Sequence, residues 1–342
     1  MQNTQERITA ARERLGSRLT ILAHHYQHDD VVRHADYLGD SLELSRKIDG
    51  LDSEFIVFCG VFFMAESAAT LARPGQKIYI PDIEASCVMS EMAPAPLVET
   101  VYNRLTESGR KLIPLAYVNT SAAVKAVCGK NGGTVCTSAN APKMLKWALS
   151  QGDGVLFLPD KQLAQNTSNT LGIPEEKRHI LDIRKNGQQI DLDAAAQADV
   201  VIWPGQCVIH SRFTTNAIKA VRKSMPQAKV IVHPECPPEV VELADDAGST
   251  SKIIDFVEAA AEGDTIVIGT ETNLVGRLAN QYAGKKTILP LATSLCSNMG
   301  KITEDKLLCL LESIEQTEDV TVSDSIRKPA QDALERMLAA SA

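Results

Sequence analysis

Apolar and polar positions along the chain divide it into two kinds of segment. Short runs rich in β-branched residues predict buried strands at 19–23, 55–59, 78–80, 112–116, 134–135, 155–158, 200–203, 230–232, 266–268 and 288–289. Between them, apolar residues recur at helical spacing. Ile8, Ala11 and Leu15 predict a helix over 2–16. Further helices are expected over 36–48, with Asp40 and Ser41 near the start, from Phe63 onward, in the stretch that ends near Ser108-Gly109, and over 253–261. A C-terminal helical region, 303–340, is expected to pack outside the rest. Strand–helix alternation of this kind builds parallel α/β units.

The alternation repeats. Strand starts at Thr20, Phe55 and Ile78 are spaced 35 and 23 apart, and those at Val230, Ile266 and Ile288 are spaced 36 and 22 apart. The middle third fits less well and carries an extra strand. The chain therefore reads as α/β, with three similar three-layer αβα domains. Their parallel sheets are arranged around a pseudo-threefold axis, with the active site in the central cleft. The expected divisions are 1–105, 106–215 and 216–300, followed by the helical region 301–342.

Three strands share a further pattern. KIYIPDIEASC (77–87), VVIWPGQC (200–207) and KTILPLATSLC (286–296) each run from an apolar strand through a proline and a short loop to a cysteine. His210 and Arg212 follow the second cysteine. Ligands of parallel α/β sheets bind at the carboxyl ends of the strands, so Cys87, Cys207 and Cys296 are expected at one point. Three soft sulfur ligands suit an iron–sulfur cluster or zinc. On a [4Fe–4S] cube they leave one iron without a protein sulfur, open to water or substrate as a Lewis acid. The competing reading is three buried thiols packed as small apolar groups.

Composition narrows the choice. The chain has 342 residues, 44% of them hydrophobic and 23% charged, with a net charge of −8 and no basic stripe. That balance argues against a nucleic-acid partner. The N-terminus is charged and lacks the apolar core of a signal peptide. The most apolar stretch, 55–65, is about half the roughly twenty residues that a membrane span needs. A cytoplasmic protein is expected, in which eight cysteines are not a disulfide framework. No CxxC pair is present, which excludes a zinc ribbon or a thioredoxin-like site. Cys59, Cys128 and Cys309 suit core or surface roles. Cys136 and Cys236 lie near the expected cleft without ligand spacing.

The remaining strand ends are polar. His24 and Tyr26, Tyr117 and Asn119, and His233 and Glu235 follow the first strands of their thirds. Taken singly such residues cap or face solvent; together they line one cleft with acid–base groups. His233 and Glu235 suit shared proton transfer. Ser138 and the pair Ser249-Thr250 stand at expected helix starts. They are either N-caps or hydroxyls that bind phosphate beside helix amides. No GxGxxG or GxxxxGK[ST] motif indicates a nucleotide.

The segments LAHHYQ, GDSLELSR, GVFFMAES, PDIEASC, YVNTSAAVKA, TSAN, WPGQCVIH, HPECPPEVV, GST and SLCSNM resemble those of the quinolinate synthase family, the A proteins of NAD biosynthesis. They occur in the family's order over nearly the whole chain. The resemblance implies three similar α/β domains around a [4Fe–4S] cluster held by Cys87, Cys207 and Cys296. It also implies condensation of iminosuccinate with dihydroxyacetone phosphate to quinolinate, with release of phosphate and water. L-Aspartate oxidase would supply the iminosuccinate. By the same resemblance, His24, Tyr26 and Ser41 lie near substrate carboxylates and Met64 lines the cavity. Tyr117, Asn119 and His210 contact substrate. Ser138, Ser249 and Thr250 hold phosphate or carboxylate. Glu235 leads proton transfer, assisted by His233 and Tyr117, with His24 and Tyr26 in the catalytic set.

Three features depart from the family pattern. His25 stands where asparagine or tyrosine is more usual. The run 128–133 reads as a short insertion. Pro290 and Thr293 replace the extra cysteines that some relatives carry before the last ligand, so that redox-sensitive feature is expected to be missing. Two other readings stay open: another hydro-lyase with an open-iron cluster, and a non-enzymatic metal-binding protein.

Overall fold

Every strand pairing in the computed structural model is parallel. The structure describes residues 3–48 and 50–341. The first sheet contains β1 (Leu19–His24), β2 (Tyr37–Gly39), β3 (Phe55–Cys59) and β4 (Lys77–Tyr79). The second contains β5 (Leu112–Tyr117), β6 (Thr134–Cys136), β7 (Gly154–Leu158), β8 (Arg178–Ile180) and β9 (Val200–Ile202). The third contains β10 (Lys229–Val232), β11 (Asp246–Ala247), β12 (Thr265–Gly269) and β13 (Thr287–Pro290).

The strand orders reveal the repeat. They are β2-β1-β3-β4 in the first sheet, β11-β10-β12-β13 in the third, and β6-β5-β7-β9-β8 in the second. The middle sheet follows the same order as far as β9, and β8 is the extra strand, added beyond it. The central strands β1, β3, β5, β7 and β9 are buried along their whole length. Helices cover both faces of the sheets, which is why these strands read as unbroken apolar runs.

The expected helix over 36–48 is two elements. Tyr37, Leu38 and Gly39 form β2, in register with Leu22, Ala23 and His24 of β1. Asp40 then stops the strand and starts the helix Ser41–Ile48. Its Oδ1 accepts from the N–H groups of Leu42 (2.9 Å) and Glu43 (3.0 Å). Glu43 Oε2 accepts from Asp40 N–H at 2.8 Å in return, which makes a capping box. Sheet pairing and the cap outweigh a pattern that is compatible with helix throughout. The edge strands β8 and β11 were not legible in the sequence because Arg178-His179-Ile180 and Asp246-Ala247 lie only partly buried at the sheet edges and carry no apolar run.

The N-terminal helix, Thr4–Leu15, buries Ile8, Ala11 and Leu15; its expected start at residue 2 lies outside the described residues. The C-terminal region packs outside the sheets as two helices. Glu304–Ser313 lies along Thr4–Leu15, with Arg7 and Glu312 paired at 2.7 Å. Asp324–Ser341 covers the helix Ala122–Lys130 and β6. Between them, Val320 N–H donates to Ile78 O at 2.7 Å.

The run 128–133 is not a loose excursion. Cys128 and Gly129 are buried in the last turn of Ala122–Lys130, and Gly129 meets the backbone of the last helix. A Cβ there would stand 1.8 Å from Pro329 O. Gly129→Ala is therefore expected to destabilise the protein by about 1–3 kcal/mol through overpacking. Gly276→Ala, in an exposed helical position with nothing within 4 Å, should instead stabilise it by about 0.5–1 kcal/mol. Urea unfolding of both variants checks the pair of signs, and an unchanged midpoint for Gly129→Ala would refute the close approach.

Candidate active site

The carboxyl ends of the three sheets open into one largely enclosed cavity. Cys87 follows β4, Cys207 follows β9 and Cys296 follows β13, and all three line its wall as free thiols. Cys59, Cys128, Cys136 and Cys236 are buried elsewhere, and Cys309 is exposed. Burial pushes the Cys87 thiol up to about 12 and raises Cys207 and Cys296 as well.

The first strands of the sheets deliver the acid–base groups. Two of them use the same local device. Tyr26 N–H donates to His24 Nδ1 at 3.1 Å, and Glu235 N–H donates to His233 Nδ1 at 3.3 Å. A main-chain donor on Nδ1 leaves Nε2 to carry the proton of the neutral ring. Burial, and then the neighbouring His25 or His210, push His24 and His233 down to about 3. Both rings are thus neutral near pH 7, each with an Nε2–H to offer.

Glu235 lies at the centre. Its Oε2 is 2.6 Å from His210 Nδ1 and 3.3 Å from His233 Nδ1. The two imidazoles stack with centroids 4.3 Å apart and planes 16° apart. Burial pushes Glu235 up, but His210 foremost outweighs it and holds the carboxyl below its ordinary range, with Tyr117 helping. His210 Nε2 is 3.1 Å from Thr270 Oγ1, which is 2.8 Å from the Tyr26 hydroxyl. A chain of polar atoms therefore runs Tyr26–Thr270–His210–Glu235. Its last contact is short but out of line, so His210 Nδ1 makes no well-directed hydrogen bond. Glu235 Oε1 and Asn119 Oδ1, also in the wall, are buried without partners.

Three helices begin at the wall, each after the short edge strand beside the first strand of its sheet. Ser41 opens Ser41–Ile48 after β2, Ser138 precedes Ala141–Leu149 after β6, and Thr250 opens Thr250–Ala259 after β11. Helix N-termini attract anions. Among the described residues no lysine or arginine lines the cavity, so hydroxyls, imidazole N–H groups and helix ends supply its attraction for negative charge.

His24, Tyr26, Ser41, Met64, Tyr117, Asn119, Ser138, His210, His233, Glu235 and Thr250 all stand in the wall with the three cysteines. Ser249 does not; its side chain caps Thr250–Ala259 by accepting from Lys252 N–H at 3.3 Å. Arg212, expected beside Cys207 and His210, is exposed. The 3-10 turn His210–Arg212 rotates by about a third of a turn per residue, so it buries His210 and turns Arg212 outward. Sequence reasoning gave no role in the site to Thr270, Asp160 and Glu271. Each is fully buried, and each directly follows or closely trails a strand end, which is the one signal that could have found them. Burial, and then the charge of Glu235, push Asp160 well above the carboxylate range. Burial lifts Glu271 to about 7.

The neutral histidines give a pH dependence. An unfolded His24 or His233 takes a proton below its ordinary value of 6.5, whereas in the fold it does so only near 3. The unfolded state then binds more protons across that window, so stability falls as pH drops from about 6.5 toward 3. Nitrogen-15 NMR at pH 5 should show both rings neutral with Nε2 protonated; a ring titrating near pH 6 would contradict this assignment.

Comparison with known proteins places the chain in a family. The model of the family described as quinolinate synthetase A protein matches residues 6–339. A quinolinate synthase of Acidobacterium capsulatum is 42% identical over 342 residues, covering 97% of this chain and 92% of that protein. One from Streptomyces coelicolor is 42% identical over 343 residues, with 97% and 87% covered. One from Bacillus cereus is 41% identical over 343 residues, with 98% and 93% covered. The chain is an enzyme that belongs to the quinolinate synthetase A protein family.

Proposed function

We propose that the protein is a quinolinate synthase of NAD biosynthesis. It condenses iminosuccinate with dihydroxyacetone phosphate and releases phosphate and water, using a [4Fe–4S] cluster. The observation that carries this reading is the meeting of three thiols, from three sheets, with a buried carboxylate–imidazole group in one cavity.

The donor set fits the cluster. Cys87, Cys207 and Cys296 are three soft sulfur ligands that line one cavity, and the buried thiols would give up their protons to the metal. When bound, the cluster supplies an iron without a protein sulfur that serves as a Lewis acid toward oxygen groups of the substrate. The protein's own groups do the rest. Ser41, Ser138 and Thr250, with the helix N-termini behind them, hold carboxylates and phosphate. Asn119 Oδ1 and Glu235 Oε1 accept from substrate N–H and O–H groups, which gives two buried acceptors their partners. His24 and His233 donate through Nε2. Met64 supplies apolar wall.

Glu235 is the base that takes protons during condensation and dehydration. A small rotation of His210 brings its Nδ1–H into line with Glu235. Thr270 then donates to His210 Nε2 and accepts from Tyr26, so every proton on the path has one acceptor. Tyr117, beside Glu235, assists ring closure. Iminosuccinate is unstable in water and comes from an aspartate-oxidising partner, L-aspartate oxidase. The setting is the cytoplasm, a reading supported by eight cysteines suited to a reducing compartment. Among the described residues, no helix is long and apolar enough to cross a membrane.

Anaerobically purified protein should contain about four irons and four sulfides per chain and form quinolinate from fresh iminosuccinate and dihydroxyacetone phosphate. Cys296→Ser should lose both properties. A cluster without quinolinate would favour another open-iron hydro-lyase. A single zinc without sulfide would point to Cys207, His210 and Glu235, whose donor atoms lie within 4.8 Å of one another, and would sink the cluster reading.

Glu235→Gln is expected to keep the iron and lower kcat by roughly 10²–10⁴-fold. Thr270→Val should lower kcat by about five- to tenfold, the equivalent of one hydrogen bond, with little change in KM. Thr270→Ser should restore it. A Val variant as fast as wild type removes Thr270 from the proton path.

A further inference from the structure

The three cysteine loops are fastened to the sheets in the same way, with one difference. After the third strand of each unit, the first N–H of the following helix donates to the carbonyl two residues ahead of a cysteine. Phe62 N–H reaches Ala85 O at 2.7 Å, Lys161 N–H reaches Gly205 O at 2.8 Å, and Thr272 N–H reaches Ser294 O at 3.0 Å. This main-chain bond is common to the loops of Cys87, Cys207 and Cys296.

Two of the cysteines have a further tie, at their own N–H groups. Asp160 caps Lys161–Thr170, its Oδ1 accepting from Leu163 N–H at 2.8 Å, while its Oδ2 accepts from the N–H of Cys207 itself at 3.0 Å. Glu271 caps Thr272–Gln281, its Oε2 accepting from Asn273 N–H at 2.7 Å, while its Oε1 accepts from the N–H of Cys296 at 3.3 Å. Both side chains are fully buried. The equivalent residue in the first unit is Val61, which makes no side-chain cap. A helix cap needs one acceptor oxygen. In both places the second oxygen is used on a cysteine of the neighbouring loop.

We propose that Asp160 and Glu271 are positioning residues that aim the Cys207 and Cys296 sulfurs into the cavity, while Cys87, with Val61 in the equivalent place, has no such carboxyl. The proposal rests on the reading that these three cysteines are the cluster ligands. Both oxygens of each carboxyl act as acceptors. The isosteric amide places an NH2 group against one of the two N–H donors and cannot accept from it. The side chain must therefore release either its helix or its cysteine.

The test reads each cysteine separately. Full-length protein, stripped of iron and kept reduced, is alkylated with iodoacetamide, and each site is followed by mass spectrometry. Asp160→Asn should speed labelling of Cys207 by about tenfold, as expected when one hydrogen bond near 1.4 kcal/mol is lost, and leave Cys87 and Cys296 at their wild-type rates. Glu271→Gln should do the same to Cys296 and leave Cys87 and Cys207 alone. In cluster-loaded protein, both variants should lose iron faster to a chelator. Asp160→Glu and Glu271→Asp keep two acceptor oxygens and should bring labelling back toward wild type, even if the amide variants fold poorly. Equal acceleration at all three cysteines, no acceleration, or failure of the conservative variants to restore the pattern would overturn the proposal. Wild-type protein that binds no iron would count against the cluster reading instead, and the labelling pattern would still decide the tethers.

Discussion

Everything at this site depends on a bond that no side chain makes. Three times over, the first N–H of a helix reaches across to the carbonyl two residues before a cysteine. The donor would otherwise be an orphan of the helix start, and the acceptor belongs to a loop that has just left its sheet. Satisfying both main-chain groups pins each cysteine loop against the end of the neighbouring strand. Parallel pairing, which puts the carboxyl ends of all strands in a sheet on one side, then turns three separate loops into three walls of one cavity.

Among the described residues, no lysine or arginine lines the cavity, which handles charge by other means. Helix N-termini face it from three directions, and two deeply buried imidazoles present N–H groups while remaining neutral. Lysine or arginine in so enclosed a place would cost heavily in desolvation unless permanently paired. Fixed dipoles avoid that cost and stay ready for anionic ligands. Glu235 is the exception, a buried carboxyl that His210 holds below its ordinary range against the cost of burial. Its central position, between two imidazoles in the cavity wall, suits the group proposed to take protons from a substrate.

Much of this could be read in advance because α/β repeats leave strong marks. Apolar runs buried on both faces stand out, and a proline and a cysteine after matching strands reveal equivalent loops. The polar pairs after β1, β5 and β10 are visible for the same reason. The errors came where local pattern is ambiguous. Tyr37 to Gly39 carries no period that separates strand from helix, and pairing with β1 decides it. Ser249 and Thr250 are adjacent hydroxyls, and the N-cap geometry gives one to the helix and the other to the cavity. Arg212 follows His210 so closely that only the turn between them separates their fates.

By itself the sequence determined the class of fold, its threefold repetition, the three cysteines and the family. These are properties of spacing and residue type, and spacing is set by the lengths that strands and helices need. The tertiary structure alone decided which buried groups touch. Thr270 joins Tyr26 to His210, and Asp160 and Glu271 reach the cysteines of neighbouring loops. Those contacts span from 25 to 244 residues of chain. No local pattern encodes them, because they exist only once parallel strands have been laid side by side and their carboxyl ends brought together.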